Sequence, residues 1–313
     1  MAKELTKQVI EDFIYQTNGI FNVRDLWNEK GIMSQEGKAT LRTILNRLKN
    51  DGVIAPLKKD GEWRLVDKVV EKIDWQSADP RNEVKLKFPF ELENFVKIYP
   101  HSIILLAGDK GVGKTSFVNN FIVKNMSNFK IDLFCNQETS AEQLHERFQH
   151  LHIPNPSPFD VYERYENYAD VIIPGHLSII DYLVVEGEFF YAGREISEIM
   201  KKIGNGIGFI VMQKPPDQIS TYKGQRNIIE RDLAYGGAST AWRAQLYLVM
   251  RDTESVRRLK IKYSKVPRNS AVKPDGMQWQ FDIDSATGDF ENIRRYYEGV
   301  HIEQPQQKKT YEF

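Results

Sequence analysis

The eight residues 108–115 constrain the fold of this chain more than any other stretch. They read Gly-Asp-Lys-Gly-Val-Gly-Lys-Thr and match G-x-x-x-x-G-K-[ST] at every fixed position. A strand-like apolar run, HSIILLAG, precedes them, and an amphipathic helical run, KTSFVNNFIVKNM, begins at their end. Glycines let consecutive backbone N–H groups turn inwards, so such a loop and the start of its helix form a cradle for phosphate oxygens. The pattern predicts an α/β fold with a nucleotide phosphate site after a buried strand.

The chemistry expected of this segment, the phosphate loop (residues 108–116), assigns roles to its polar side chains. Lys114 would place a mobile positive charge at the β- and γ-phosphates of ATP. The Thr115 hydroxyl would be a ligand for Mg²⁺, so ATP and Mg²⁺ are the expected cofactors. The residues expected to contact the nucleotide are Gly108, Asp109, Lys110, Gly111, Val112, Gly113, Lys114, Thr115 and Ser116.

Two further carboxylates follow strand-like runs. Asp181 ends the apolar run at 177–180, which suits a strand covered on both faces, and ligands bind at the carboxyl ends of such strands. We expect Asp181 to hold the metal, with an ordinary turn residue as the alternative. Glu138 follows the run KIDLFC and precedes the helical run AEQLHERF, which Thr139 or Ser140 can cap. Glu138 would accept a proton from the attacking water, or else be a loop acid that supports the cap.

Composition excludes several classes of protein. The chain has 43 basic and 43 acidic side chains, so its net charge of zero argues against general polyanion binding while leaving room for a local basic patch. Its single cysteine, Cys135, rules out a disulfide scaffold within the chain and suits a reducing compartment. No window approaches the roughly 18 apolar residues of a membrane span, and the first residues do not resemble a signal peptide. We expect a cytoplasmic protein without membrane contact.

A change in sequence character divides the chain. Residues 67–86 mix charged and apolar positions without a period and contain the breaker Pro80, which is typical of a linker. The polar end of the chain is expected to be a loose tail. The expected organisation is a small domain at 1–66, the linker at 67–86, an ATPase domain at 87–298 and the tail at 299–313.

The small domain has the pattern of three helices and a hairpin. Gly31 and Gly52 close the second and third helices, and the hairpin turns around Lys59-Asp60-Gly61. This order resembles a winged helix-turn-helix domain, whose third helix enters the DNA major groove. That helix has no acid between Gly37 and Asn50. The bases expected to contact double-stranded DNA are Lys38, Arg42, Arg47 and Lys49, with Lys58 and Lys59 on the wing.

Protein docking is the alternative function of the small domain. Residues 1–66 hold eleven bases and nine acids, a modest excess for a DNA-binding domain. A basic run on a short helix is also typical of a solvated face, and a fold of this kind does not fix its partner.

The order of motifs in the larger domain resembles the core of RecA-like ATPases. The phosphate loop is followed by NQETS-AEQLHERF, then LSIIDYL, then GIGFIVMQKPP and then AYGGASTAWRAQLYLVMR. The resemblance covers roughly residues 90–290 and points to the branch that contains DnaB-type replicative helicases, KaiC-like ATPases and plasmid RepA helicases. It implies a mostly parallel sheet flanked by helices. It also implies that Glu138 is the catalytic glutamate and that Gln213 senses the γ-phosphate.

The same branch has a late strand ending in a lysine and an arginine that reach the nucleotide of the neighbouring subunit. Here LKIKYSKVPRNSAVKPDG offers Lys265 and Arg268, one residue further apart than the commoner lysine-x-arginine spacing, and Lys262 is a rival. A cation delivered only on assembly makes hydrolysis depend on oligomerisation. The resemblance therefore implies a homo-oligomer, either a ring or a filament. Exposed loop bases are the ordinary alternative.

The segment after Gln213 corresponds in the resemblance to the loop that lines the pore and contacts DNA. It contains Lys223, Arg226 and Arg231, with Tyr222 available for stacking on bases. Cations and aromatic rings together are typical of single-strand binding. An inert contact between subunits is the alternative for this long polar loop.

Two functions are consistent with these patterns. The first is an ATP-dependent DNA-binding motor or assembly ATPase, meaning a helicase, a helicase loader or a DNA clamp in replication, repair or mobile-element maintenance. The second is a KaiC-like switch, in which ATP controls oligomerisation and the N-terminal domain binds a protein partner. A transcription regulator with a degenerate ATPase is disfavoured, because the phosphate-binding and hydrolytic set is complete.

Overall fold

The computed structural model describes residues 6–17, 19–68, 70, 72–136, 140–183, 191–222, 225–253, 256–284 and 286–297. The chain divides into two compact units, Met1–Ala78 and Asp79–Phe313. Across the described part of the chain, no helix has the length and apolar character needed to cross a lipid bilayer.

The smaller unit packs three helices against a three-stranded antiparallel sheet. Its strand order is β1-β3-β2. The strand β1 has only three residues, too few to show the alternation by which a strand is recognised in sequence. In chain order the elements are α1 (Lys7–Gln16), β1 (Ile20–Asn22), α2 (Val23–Glu29), α3 (Gln35–Asn50), β2 (Ile54–Pro56) and β3 (Glu62–Leu65).

Local chemistry sets the ends of these helices. The side chains of Thr6, Asn22 and Ser34 accept hydrogen bonds from backbone N–H groups in the first turns of α1, α2 and α3. Gly31 and Gly52 follow α2 and α3 with φ of 64° and 67°, a conformation that favours glycine. The core of the unit is apolar and includes Ile10, Ile14, Leu26, Leu41, Leu48 and Ile54.

The larger unit is built around one nine-stranded sheet. Short 3₁₀ segments at Pro89–Asn94 and Tyr168–Asp170 connect some of its elements. In chain order these are β4 (Ser102–Gly108), α4 (Lys114–Asn125), β5 (Ile131–Cys135), α5 (Ala141–His150), β6 (Asp160–Glu163), β7 (Leu177–Asp181), α6 (Tyr191–Lys202), β8 (Ile207–Gln213), β9 (Gln218–Tyr222), β10 (Gln225–Ile229), α7 (Ala238–Ala241), β11 (Ala244–Asp252), β12 (Arg257–Ser264), β13 (Gln278–Ile283) and β14 (Phe290–Tyr296).

The sheet is mostly parallel. Its strand order is β14-β13-β12-β11-β4-β8-β7-β5-β6, and the strands from β11 to β6 are parallel to one another. The strands β12, β13 and β14 extend it with antiparallel pairs. This mostly parallel sheet, flanked by helices and preceded by a small α+β unit, confirms the predicted α/β fold class.

The two faces of the sheet bury different helices. On one face, Phe117 and Phe121 of α4 pack in the same cluster as Ile104 and Leu106 of β4. On the other, α6 packs against Ile103 and Leu105. Strand β4 is therefore covered on both sides and all seven of its residues are buried, as its continuous apolar sequence predicts.

The chain between the two sets of elements has no regular secondary structure in its described part. Its described positions from 66 to 88 belong to no helix or strand. Leu86 and Phe88 are nevertheless buried in the core of the larger unit. The compact unit begins at Asp79, earlier than the boundary at 87 expected from sequence.

Candidate nucleotide-binding site

The phosphate loop joins β4 to α4 at the carboxyl edge of the parallel strands. Gly108 ends β4 between Gln213 of β8 and Met250 of β11, with which it pairs in register. Gly111 has φ of 75°, and Gly113 has φ of 100° and forms the N-cap of α4 without a side-chain cap. A Cβ atom at Gly113 would lie 2.2 Å from Ile283 Cδ1. The local backbone therefore requires glycine, and the amino end of α4 faces the loop.

The Lys114 side chain folds back over this loop. Lys114 is only 8% exposed, and its Nζ donates to the carbonyl oxygens of Gly108 at 3.2 Å and Asp109 at 2.6 Å. Together with the backbone N–H groups at the start of α4, this ammonium makes the concavity positive. The loop thus has the shape and charge to hold a polyphosphate.

Thr115 and Asp181, the two predicted metal ligands, meet at one small cavity. Thr115 lies at the start of α4 and Asp181 at the end of β7, and both line a space of about 40 Å³. Among the described residues, no group of three or more His, Cys, Asp or Glu side chains could enclose a metal. A hydroxyl and one carboxylate beside a phosphate site fit Mg²⁺, which keeps several waters and relies on phosphate oxygens.

Cys135 also lines this cavity, at the end of β5. Burial, reinforced by the nearby Asp181 carboxylate, raises the pKa of the Cys135 thiol to about 12. The side chain is therefore a neutral thiol at physiological pH, in accord with a structural rather than a nucleophilic role.

Of the two remaining residues expected to take part in hydrolysis, the structure describes Gln213 but not Glu138. Gln213 ends β8 directly beside Gly108, and its carbonyl oxygen accepts the N–H of Tyr235 at 3.0 Å. Glu138 lies outside the described residues. Ser140, two residues later, caps α5 and forms a reciprocal capping box with Gln143. Of the two caps considered for α5 from sequence, the structure uses Ser140.

A larger cavity of about 410 Å³ adjoins the phosphate loop, and the sequence patterns did not reveal it. It lies between α4, α5 and the turn that joins β13 to β14. Asn120 Nδ2 holds that turn in place by donating to the Gly288 carbonyl at 3.2 Å. The lining residues are Thr115, Ser116, Asn119, Asn120, Gln143, Glu146, Arg147, His150, Leu151, Ala286, Thr287 and Gly288.

One signal in the sequence could have indicated this cavity. Glu146 and Arg147 lie three and four residues after Gln143, and His150 lies four and three residues after them, so these side chains share one face of α5. None of the residues of α5, all of them described, is buried. A polar helix face beside a phosphate loop is typical of a ligand pocket rather than of a core helix.

Lys265 lies far from the phosphate loop of its own chain. The strand β12 runs antiparallel to β11, so Arg257 is at the phosphate-loop end and Ser264 at the opposite end. Lys265 follows Ser264, and its N–H donates to the Gln245 carbonyl at 2.9 Å. Ser264 pairs with Leu246, and Leu246 pairs with Ile104, which lies four residue steps before Gly108. At about 3.3 Å per step, Lys265 therefore lies roughly 13 Å or more from the phosphate loop along the strands.

The three candidate cations differ in their contacts. The Lys265 side chain is exposed, and its Nζ donates a hydrogen bond to the Trp242 carbonyl at 3.1 Å. Arg268 pairs with Glu83 at 3.1 Å and donates to the carbonyl oxygens of Glu93 and Val96. Lys262, the rival candidate, pairs with Asp232 at 2.9 Å on a face of the sheet.

The segment after Gln213 forms a hairpin instead of the expected long loop. Strands β9 and β10 pair antiparallel with Tyr222 opposite Gln225, so a two-residue connection joins them. Lys223 lies outside the described residues, as does the side chain of Arg226. Arg231 follows the hairpin and fixes its base, because its N–H donates to Asp217 and its guanidinium to Gln218, both at 3.0 Å.

The basic residues of α3 occupy two sides of the helix. At 100° per residue, Lys38, Arg42 and Lys49 fall within about 40° of one another, whereas Arg47 lies on the opposite flank. Lys38 Nζ stands 4.5 Å from the Trp27 ring. On the wing, Lys58 is exposed and Lys59 pairs with Glu62 at 2.9 Å.

No protein-family model matches this sequence, and no curated protein matches it. Solved structures do resemble it. A KaiC-like protein from the hyperthermophilic archaeon Pyrococcus horikoshii OT3 is 17% identical with a TM-score of 0.48, covering 70% of this chain and 100% of that one. A RadB recombinase is 13% identical with a TM-score of 0.44, covering 63% of this chain and 92% of its own. Likeness at this level says nothing of substrates or partners, which have to be inferred from the site.

Proposed function

We propose that this chain is a DNA-binding ATPase that hydrolyses ATP at the boundary between two subunits. One observation carries the proposal. The phosphate loop, Gln213 and the cavity shared by Thr115 and Asp181 lie together at the carboxyl edge of parallel strands, where α/β sheets bind ligands. A loop of this shape holds phosphates, and the residues around it are of the kinds that hydrolysis requires.

The proposed placement of ATP uses both cavities. The phosphates would lie in the phosphate loop under Lys114, and the nucleoside would occupy the larger cavity between α4 and α5. Thr115 and Asp181 would hold Mg²⁺, which neutralises charge on the phosphates. Glu138, in the connection after β5, would accept the proton of the attacking water, and Gln213 would bond the γ-phosphate or that water.

A neighbouring subunit would complete the site. Lys265 lies at least four residue steps, roughly 13 Å at about 3.3 Å per residue, from its own phosphate loop and two strands away from β4, so it is not placed to serve that loop. Lys265 is the better candidate, because Arg268 is already engaged by Glu83 and two carbonyl groups. Subunits that meet head to tail would bring this end of one subunit to the phosphate loop of the next, in a ring or a filament.

The small unit and the hairpin would bind DNA. The three helices followed by the hairpin β2-β3 support a winged helix-turn-helix domain, in which α3 would be the groove-binding helix. The segment that forms the hairpin β9-β10, with Lys223 between the two strands in the sequence, Arg226 on β10 and Arg231 at the base, would contact single-stranded DNA. Such a protein would act as a helicase, a helicase loader or a clamp in replication, repair or mobile-element maintenance.

One observation favours a second candidate, the KaiC-like switch. Arg47 lies apart from the other three bases of α3, and residues 1–66 carry only two more bases than acids, so the excess of positive charge on this unit is small. A surface of this kind also suits a protein partner. In that case ATP would control oligomerisation, and the small unit would not bind DNA.

ATP turnover by the wild type, Glu138→Gln and Lys114→Ala tests the proposal. The rates are measured without DNA, with single-stranded DNA and with double-stranded DNA. We expect DNA to stimulate the wild type, because binding to DNA favours assembly of the shared sites. Loss of a general base lowers proton transfer by about 100-fold or more, so Glu138→Gln is expected to bind ATP and hydrolyse it very slowly. Lys114→Ala should lose ATP binding.

The outcomes separate the candidates. Normal hydrolysis by Glu138→Gln would place the proton acceptor elsewhere. ATP-dependent assembly without salt-dependent DNA binding would favour the switch. A wild type that neither binds nor hydrolyses ATP would contradict both.

A further inference from the structure

The phosphate loop contains an acid, which is unexpected at a site for a polyanion. Asp109 is the second residue of the loop, and its side chain is 26% exposed. Two like charges a few Å apart repel strongly where solvent is partly excluded. An ionised Asp109 facing the loop would therefore oppose the binding of ATP, and something has to neutralise it or turn it away.

In the structure, the Asp109 carboxylate is both paired with a cation and turned away from the loop. Its Oδ1 lies 2.8 Å from Lys214 Nζ, and its Oδ2 accepts the N–H of Asp252 at 3.1 Å. Lys214 follows β8 and Asp252 ends β11, and these strands flank β4 in the sheet. The carboxylate therefore points to the ends of the two neighbouring strands.

Lys214 is built into the interior. Its side chain has no exposure to solvent, and Nζ is shared between Asp109 at 2.8 Å and Asp217 at 3.0 Å. Its backbone N–H also donates to the carbonyl of Gly108 at 3.2 Å, the residue with which the loop begins. A buried ammonium is stable only with such partners, so its position is fixed by the two carboxylates.

Asp217 and Asp109 depend on Lys214 to different degrees for the neutralisation of their charge. Asp217 also receives the Arg251 guanidinium and the N–H of Arg231. Within the part of the chain that the structure describes, the Asp109 carboxylate has one other contact of this kind, the N–H of Asp252. Loss of the lysine would thus leave negative charge mainly at the phosphate loop.

We propose that Lys214 is a positioning residue for nucleotide binding, which holds and neutralises Asp109 so that the phosphate loop accepts a triphosphate. The inference rests on the proposed function, since it takes the loop to bind ATP. Lys214 acts through Asp109 and need not touch the nucleotide. Removal of both charges at once should therefore restore binding.

Calorimetric titration with ATP and with ADP, each in the presence of Mg²⁺, tests this inference. The variants are Lys214→Met, Asp109→Asn and the double variant, and the control is Lys201→Met, a surface lysine paired with Glu198. For Lys214→Met we expect ATP affinity to fall by about tenfold or more, and ADP affinity by less, because repulsion grows with the charge of the ligand. Asp109→Asn and the double variant should bind ATP within about threefold of each other.

Three results would overturn the inference. One is wild-type ATP affinity in Lys214→Met. Another is an equal loss of affinity for ATP and for ADP in Lys214→Met. The third is a double variant as weak as Lys214→Met, which would mean that Lys214 binds the nucleotide or supports the fold directly. If Lys214→Met does not fold, the comparison of the double variant with Asp109→Asn decides alone. A wild type that binds neither nucleotide would instead contradict the proposed function.

Discussion

Arg251 lies at the centre of a cluster of buried charges beside the nucleotide site. Its side chain is 3% exposed and contacts Asp217, Asp232 and Glu230. Asp232 in turn pairs with Lys260 at 3.1 Å and Lys262 at 2.9 Å. Burial alone raises the pKa of Asp232, but Arg251 and the two lysines outweigh it and hold this pKa well below its ordinary value. Asp232 is therefore ionised in the folded protein and stabilised by its cations.

Replacing Asp232 by Asn should destabilise the protein. The substitution keeps the shape of the side chain but leaves three cations without their shared acid, and breaking a buried pair of this kind costs about 3–5 kcal/mol. Urea unfolding of the variant and of the wild type at neutral pH measures the loss. The control is Glu198→Gln, which removes an exposed partner of Lys201 and should leave stability unchanged.

The same carboxylate sets a pH dependence. Because the folded pKa of Asp232 is lowered, its contribution to stability is complete above the ordinary value of 3.8 and declines as the pH falls towards the folded pKa. The difference in unfolding free energy between the wild type and Asp232→Asn should therefore narrow in acid. A difference that stays constant between pH 7 and pH 3 would assign the effect to packing instead.

At the scale of single elements, α3 shows how one helix serves two purposes. Leu41, Ile44, Leu45 and Leu48 bury one face in the core of the smaller unit. The bases Lys38, Arg42 and Lys49 border that face on one side, and Arg47 lies on the other. Exposed polar side chains fill the surface between them. If α3 enters a groove, the two flanks would contact the phosphates on either side.

Single-charge deletions on α3 test its contact with DNA. Arg42→Ala and Lys49→Ala should weaken binding to double-stranded DNA, and each should reduce the slope of log affinity against log salt by about one. The control is Lys7→Ala on α1, which removes one positive charge from an ion pair with Asp51 and should change neither the affinity for DNA nor its salt dependence. Fluorescence anisotropy over a salt series measures both. Equal slopes in all variants would remove α3 from the DNA interface and favour a protein partner.

At the scale of the whole molecule, the proposed ATP site would be incomplete in one chain. The antiparallel direction of β12 carries Lys265 to the far end of the sheet from the phosphate loop. The end of α4 proposed to bind phosphate and the end of β12 proposed to supply a cation would therefore face different neighbours. Such an arrangement would make assembly a condition for hydrolysis.

Mixing two inactive variants tests this dependence. Lys114→Ala has no working phosphate loop but keeps its cation, whereas Lys265→Ala keeps its phosphate loop but lacks the cation. Each alone should hydrolyse ATP poorly. In a random head-to-tail mixture, about one boundary in four joins two intact halves, so the mixture should recover roughly a quarter of wild-type activity. The ATPase rate at several mixing ratios measures this. A mixture no more active than its components would place the missing cation in the same chain or elsewhere.

Residues close together in sequence determined much of what could be predicted. The phosphate loop, the apolar runs of β4, β5, β7 and β8 and the cap of α5 depend on backbone conformation and periodicity over a few residues. The same local patterns indicated the fold class and placed Gly108, Thr115, Asp181 and Gln213 at strand or helix ends. The short strand β1 and the hairpin β9-β10 were missed, because three residues or an irregular polar segment show no period.

Only the tertiary structure decided which distant residues meet. Asn120 and Gly288, 168 positions apart, hold the turn that closes the larger cavity. Lys214 reads as one of several lysines in the sequence, and its complete burial between Asp109 and Asp217 follows from the packing of three strand ends. Burial, charge pairing and the direction of β12 are set by strand order and register across the sheet. Sequence periodicity reports local conformation, and these properties depend on contacts between segments that no local pattern encodes.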